Sequence, residues 1–559
     1  MQSYEYLRNI SSFEDTKTRG TNETKTLMPE KKLLLGDEAV ALGALYAGLS
    51  GVYAYPGTPS TEITEFIQRH PLTRKRGIRS RWCANEKTAM EAALGMSYSG
   101  KRALVCMKHV GLNVCADAFV NAAITGVNGG LVVLAADDPS MHSSQNEQDS
   151  RFYGKFAMVP IFEPSNQQEA FDLVEEAFDQ SETLKLPVLF RLVTRLAHSR
   201  ADVSVPDAIR EMNPFRPEEG RHWILLPAIA RKQYQALLGK QGQLEAEAEK
   251  AASLEKIDGK GLGVIACGIA ANYVKEAAPK GVSFLLKVTR YPLPRNKIRE
   301  LAAVSDRILV VEDGQPFAEE QVAAFLGADY PVEGRLTGRL PRTGELNPDV
   351  VAAALGKIPN LTFEAIPDVA SRPPALCKGC GHRDVYKALN DVLSEYPGAR
   401  VFGDIGCYTL GALPPYQTIH TCVDMGASIT MAKGAADAGQ FPSIAVIGDS
   451  TFTHSGMTGL LDAVNDRANI TLLISDNLTT AMTGGQDSAG TNRFEAICKG
   501  IGVEPEHIRV VVPQPANLPE ITRILRDEIH YNGVSVIIAR RECIQTLGRK
   551  LRKQKAEKG

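Results

Sequence analysis

Short, largely apolar runs alternate along the chain with longer segments in which apolar and small residues recur at helical spacing. Val52 to Tyr55, Ala103 to Met107, Leu131 to Ala135 and Pro187 to Leu192 form one series, and Ser443 to Ile447, Ile470 to Ile474 and Val534 to Ala539 form another. Runs this short, apolar at most positions and rich in β-branched residues, predict strands buried on both faces of a parallel sheet. Between the two series, GVIACG, FLLKVT and ILVVEDG predict a smaller α/β unit. The fold class that follows is α/β, with several doubly wound parallel-sheet domains and a smaller one between them. The spans read as 31–200 and 373–547 for the two larger domains, 259–365 for the smaller one, and 201–258 for a charged helical linker that includes QLEAEAEKAASLEK. Residues 1–30 are polar and read as a flexible tail, and 548–559 as a basic, solvated one.

Composition narrows the classes of function. At 559 residues the chain exceeds one core. A formal charge of -2 and a hydrophobic content of 44% describe a globular protein with no bulk attraction to nucleic acid. The longest apolar runs, such as Gly130 to Ala136, are strand-length, and the first thirty residues lack an apolar signal core, so no membrane span is expected and the cytoplasm is the default. Ten cysteines in such a chain are expected to be thiols or metal ligands. Cys83, Cys106, Cys115, Cys267, Cys422 and Cys498 sit singly as core fillers, whereas Cys377 and Cys380 form a CxxC pair.

The densest chemistry lies between Ile444 and Gln486. Gly448-Asp449-Ser450 and Ser475-Asp476-Asn477 end two strands that would lie side by side at the carboxyl edge of the sheet, where open α/β sheets bind ligands. Asp449, the amide of Asn477 and the carbonyl of Thr479 make a hard-oxygen set suited to Mg²⁺ carrying phosphates. Gly448 and Gly456 would let a diphosphate approach the backbone, and Thr483-Gly484-Gly485 follows. Thiamine diphosphate enzymes use this arrangement, although most carry glycine where Ser450 stands. Such enzymes also need a carboxylic acid at the aminopyrimidine, and Glu86, at the head of the Ala/Gly-rich helix TAMEAALGMSYSG, stands where that group is found. A helix-capping role for Glu86 is the alternative. The turn from Pro56 to Thr61 reads equally as a ligand-facing loop or an ordinary βα connection, and the polar run from Asp137 to Asp149 as a binding loop or a solvated one.

Taken in order, YPGTPST, ANEK, KHVGLN, DDPSMHSSQNEQDSR, CKGCGHR, GDIGCYTLG, GDSTFTHSG and VIIARREC resemble the large-subunit family of the indolepyruvate:ferredoxin oxidoreductases, among the thiamine diphosphate-dependent 2-oxoacid:ferredoxin oxidoreductases. The resemblance runs from about residue 31 to 547. It implies pyrimidine- and diphosphate-binding domains with a transketolase C-terminal-like domain between them. It implies oxidative decarboxylation of an arylpyruvate to an arylacetyl-CoA, with coenzyme A as co-substrate and electrons leaving through iron-sulfur clusters to ferredoxin or another carrier. Indolepyruvate, phenylpyruvate and 4-hydroxyphenylpyruvate are all compatible. By motif position, Glu86 would activate the cofactor. Gly379, Gly381 and His382 would lie by the diphosphate, and Thr58, His109, His142 and Asn146 would face the substrate. Cys377, Cys380, Cys407 and Cys543 match the order of ligands to a [4Fe-4S] cluster; the alternative is that the CxxC shapes a loop. A smaller beta subunit and a dimer of heterodimers are implied as well. The family's large subunit usually continues into a ferredoxin-like domain with two CxxCxxCxxxC runs, which this sequence lacks, so electrons are expected to leave through another subunit or to a different acceptor. A non-oxidative 2-oxoacid decarboxylase, or a non-catalytic subunit of a larger complex, are the competing expectations.

Overall fold

The structure, a computed structural model, describes residues 30–218, 220–258, 261–277, 282–358 and 373–558. The tail expected over 1–30 therefore lies outside the described residues except for Glu30, as does the link around 359–372. The first part of the chain forms β1 (Glu30–Leu35), β2 (Gly51–Ala54), β3 (Arg79–Trp82), β4 (Ala103–Lys108), β5 (Leu131–Asp137), β6 (Ile161–Phe162), β7 (Val188–Val193) and β8 (Arg200–Val205). The middle adds β9 (Ser253–Asp258), β10 (Leu262–Cys267), β11 (Val282–Val288), β12 (Arg290–Tyr291), β13 (Arg307–Val311) and β14 (Val332–Glu333). The last part supplies β15 (Arg400–Gly403), β16 (Ser443–Gly448), β17 (Ile470–Asp476), β18 (Ile508–Val511) and β19 (Val534–Arg540).

Three main sheets result, in the orders β12-β6-β7-β5-β4-β2-β3, β14-β13-β10-β11-β9 and β15-β16-β17-β19-β18. The last is parallel throughout. Every residue of β4, β5, β7, β16 and β17 is buried, because helices cover both faces and no position along these strands meets water. No helix among the described residues is long and apolar enough to cross a membrane.

The span 201–258, read as a helical linker, does carry the helices Pro227–Gly239 and Gln241–Ala251, but strands bracket them. β8 pairs antiparallel with β1, and β9 forms the antiparallel edge of the middle sheet. SLEKID is an edge strand, of a composition that local pattern cannot tell from a charged helix. β12 also departs from the expected division, since it belongs by sequence to the middle unit but pairs antiparallel with β6 of the first sheet.

Two buried arginines fasten the middle unit to the first sheet. Arg191 Nε donates to Asp137 Oδ2 at 2.6 Å, its guanidinium also pairs with Glu163, and Nη2 donates to the Asp313 carbonyl at 2.9 Å. Arg151 donates to Asp149 Oδ2 at 2.5 Å and pairs with Glu312 at 2.8 Å. Both ends of the 137–149 loop are thus fixed by charges that have no access to solvent. Arg191→Ala would leave Asp137 without a cation and take from Glu163 its closest one, while Asp149 keeps Arg151. The expected loss is about 3–5 kcal/mol, read as a fall in the urea midpoint of the transition that includes this sheet.

Candidate active site

β16 and β17 lie next to each other in register, Gly448 opposite Ser475, so the turns after them open at one edge. Asp449 Oδ1 accepts the Ser450 N–H at 2.8 Å, its Oδ2 accepts the Thr479 N–H at 3.0 Å, and Asn477 Oδ1 lies 3.2 Å from the same nitrogen. Burial pushes the Asp449 carboxyl up to about 7, with Asp476 adding to the rise. A cation in the crevice would restore its charge, so this set of oxygens fits a divalent ion. Gly448 is required sterically: a Cβ there would meet the Tyr408 ring at 2.6 Å.

The crevice is a cavity of about 180 Å³ lined by Thr58, Glu86, Gly448, Asp449, Ser450, Asn477, Thr479 and Thr483. The first and last sheets of one chain therefore build it together. Asn85 caps the helix Glu86–Tyr98 by accepting the Thr88 N–H at 2.9 Å, and its amide donates to the His454 carbonyl, also at 2.9 Å. The capping role considered for Glu86 thus falls to its neighbour. The Glu86 carboxylate is turned inward, with Oε2 2.8 Å from His454 Nε2, and the Tyr55 ring sits edge-on to the imidazole at 4.7 Å. His454 stands in a π-helical turn, Phe452–Gly456, that widens the helix start and carries the side chain towards the first sheet. Sequence reasoning quoted this histidine within GDSTFTHSG and gave it no role; its contact spans 368 positions, which no local pattern encodes.

The 137–149 loop closes the side of the crevice, but with residues other than those expected. Lys108, Ser143 and Gln145 line it. His109 is buried behind, its Nε2 3.3 Å from Asn146 Oδ1, and His142 turns outward to Glu345 Oε2 at 3.2 Å. His109, His142 and Asn146 are thus brought to the same loop but not to the crevice wall. Lys108, the residue before His109, reaches the wall instead; burial lowers its ammonium to about 8 against the opposing pull of Asp138.

Behind the crevice lies a second cavity of about 140 Å³, into which Cys377, Cys380, Cys407 and Cys543 all converge. Gly379 has φ +78°, the left-handed turn that folds the CxxC back on itself. Gly381 and His382, expected beside a diphosphate, line this cavity rather than the crevice, because the helix Gly381–Leu393 starts at the cysteine turn. Burial holds His382 at about 4, hence neutral, with Nδ1 3.4 Å from Cys380 Sγ. Burial and the neighbouring sulfurs push Cys407 up to about 12. The Cys407 thiol keeps its proton unless a strongly positive group replaces it. A single tetrahedral zinc would draw sulfurs to about 3.8 Å of one another at Zn–S distances of about 2.3 Å. Among the described residues no three of these sulfurs lie within 4.8 Å of one another, a wider spacing than the ligands of a single zinc take.

A Cβ on Gly111 would lie 2.5 Å from Glu86 Oε1. Gly111→Ala is therefore expected to push the Glu86 carboxylate off His454 while the helices stay intact. A crystal structure of the variant, with unchanged far-ultraviolet circular dichroism, checks this.

Comparison with known proteins bears on the crevice and on the chain as a whole. Residues 42–256 match the family described as pyruvate flavodoxin/ferredoxin oxidoreductase, thiamine diphosphate-binding, and residues 404–539 match the C-terminal binding domain of thiamine pyrophosphate enzymes. The chain is 40% identical to the indolepyruvate oxidoreductase subunit IorA of Archaeoglobus fulgidus, over 92% of this chain and 86% of that protein. It is 37% identical to the subunit of that name from Methanothermobacter thermautotrophicus, over 93% and 88%. A 2-oxoglutarate:ferredoxin oxidoreductase from Magnetococcus marinus aligns over 59% of this chain and 65% of its own, with a TM-score of 0.48 and 16% identity, a likeness too weak to carry function. With both cofactor-domain families matched and full-length relatives this similar, the chain belongs to the IorA family of thiamine diphosphate-dependent 2-oxoacid oxidoreductase subunits.

Proposed function

We propose that this subunit performs the oxidative decarboxylation of arylpyruvates to arylacetyl-CoA, with electrons leaving through a [4Fe-4S] cluster held by Cys377, Cys380, Cys407 and Cys543. The observation that carries the reading is a shared wall: Cys407, Asn477 and Ala481 line both the crevice and the sulfur cavity. The Cys543 N–H also donates to the Asn477 carbonyl at 3.0 Å. A non-oxidative decarboxylase would have no use for four thiols abutting its reaction site. Names borne by the relatives support indolepyruvate as the substrate, and Val110, Met425 and Met482 give the crevice an apolar side suited to an aryl group.

Thiamine diphosphate, when bound, supplies the nucleophilic carbon and the electron sink on which loss of carbon dioxide depends. The chain's own residues do the rest. Asp449, Asn477 and the Thr479 carbonyl hold Mg²⁺ and with it the diphosphate, while Gly448 lets the phosphates approach the backbone. Glu86 holds a proton at the aminopyrimidine, and His454, its partner, sets the direction of the carboxyl group. Thr58 faces the substrate from the first sheet, and His109, His142 and Asn146 shape the loop beside it. The reaction consumes coenzyme A and releases carbon dioxide and two electrons, passed singly to ferredoxin or another carrier. A smaller beta subunit completes the enzyme, as a dimer of heterodimers in the cytoplasm.

Protein purified anaerobically is expected to hold about four irons and four labile sulfides per chain, lost in Cys377→Ala. Iron-free protein that still turns over arylpyruvates without coenzyme A would overturn the redox reading. In Glu86→Gln, kcat is expected to fall about 10²–10⁴-fold while thiamine diphosphate binding, followed by fluorescence quenching, is kept.

A further inference from the structure

Both walls of the crevice carry a carboxylate. On the last sheet Asp449 and on the first Glu86 are acidic, and of all the lining side chains only Lys108 is a cation. That lysine is buried, yet no ion pair occupies it among the described residues. Its Nζ donates to the Ser143 carbonyl at 2.7 Å and lies 3.4 Å from Ser143 Oγ. An ammonium carries three donors, and a buried cation without an anion is costly. Asp138, the nearest source of negative charge, is taken up elsewhere: its carboxylate accepts from Ser143 N at 2.9 Å, Ser144 Oγ at 2.5 Å and Thr194 Oγ1 at 2.8 Å.

Backbone geometry adds to the same spot. Lys108 is the N-cap of the helix His109–Thr125, which no side chain caps, and Val110 of its first turn lines the crevice with it. A helix amino terminus and an unpaired ammonium together make an anion site. The site lies on the first-sheet wall with Thr58, whose turn packs so closely that a Cβ on Gly57 would meet Lys108 Cβ at 3.0 Å. The oxygens suited to Mg²⁺ and a diphosphate stand on the opposite wall.

We propose that Lys108, with the amino end of the helix it caps, binds the carboxylate of the 2-oxoacid. The inference rests on the oxoacid reading above and deepens it. One end of the substrate is fixed by charge at Lys108, its keto carbon is directed to the middle of the crevice, and its side chain is left to the apolar side by Met425 and Met482. Once carbon dioxide has left, the ammonium returns to Ser143 and nothing anionic remains to hold the product there.

The test uses the complete enzyme with its partner subunit, comparing wild type, Lys108→Met and Lys108→Arg. In Lys108→Met, KM for phenylpyruvate and the dissociation constant of the unreactive 3-phenylpropionate are expected to rise about 10- to 100-fold, the scale of one charge-assisted hydrogen bond. Affinity for thiamine diphosphate and for the neutral 3-phenylpropanamide stays unchanged, and Lys108→Arg recovers most of the loss. An unchanged KM, an equal loss of the amide, or a parallel fall in thiamine diphosphate affinity would overturn the assignment. The last of these would make Lys108 a diphosphate ligand, and the second a mere anchor of the loop. A wild-type enzyme that turns over some other 2-oxoacid but no arylpyruvate would sink the substrate reading alone; the comparison is then made on that acid.

Discussion

A buried carboxylate meeting a buried imidazole, Glu86 against His454, is the contact on which the active-site crevice depends. Each group comes from a different sheet, and each would be expensive to bury alone. Their pairing, with the Asn85 amide on the His454 carbonyl beside it, sets how far apart the walls stand. It also explains why Gly111 has no side chain: the space is taken by the carboxylate itself.

The second organising feature is economy of space behind that crevice. Asn477 offers its side-chain oxygen forward, to the Thr479 N–H that also donates to Asp449, and its carbonyl backward, to the N–H of Cys543. A single turn after β17 is therefore the partition between an oxygen-lined chamber and a sulfur-lined one. The two have opposite tastes in metals, hard on one side and soft on the other, which keeps an ion suited to one from settling in its neighbour.

Much of this was legible in the sequence, for a definable reason. β16 and β17 are apolar at their centres and run into Gly-Asp and Asp-Asn, so strand, turn and ligand set could be read together. The four cysteines were readable through resemblance alone, since Cys377 and Cys543 are distant in sequence. What escaped was whatever tertiary contact decides. Lys108 and His109 adjoin at the junction of strand and helix, and only the folded chain reveals that the lysine faces the crevice while the histidine lies behind it. His142 is drawn outward by Glu345 of the middle unit, a partner with no local signature. β8, β9 and β12 were missed because short or charged edge strands carry too little pattern to be distinguished from linker.

β12 governs how the molecule comes apart. This two-residue strand leaves the middle unit to hydrogen-bond with β6, and Tyr291, within it, accepts a hydrogen bond from Arg151 at 3.2 Å and donates one to Glu163 at 2.6 Å. Two units that share a sheet edge and a charge cluster cannot open one at a time, so together they behave as a single cooperative block. Among the described residues the last sheet makes no strand pairing with either, and it is coupled to that block through side chains alone, Glu86 with His454 and Glu65 with Gln486.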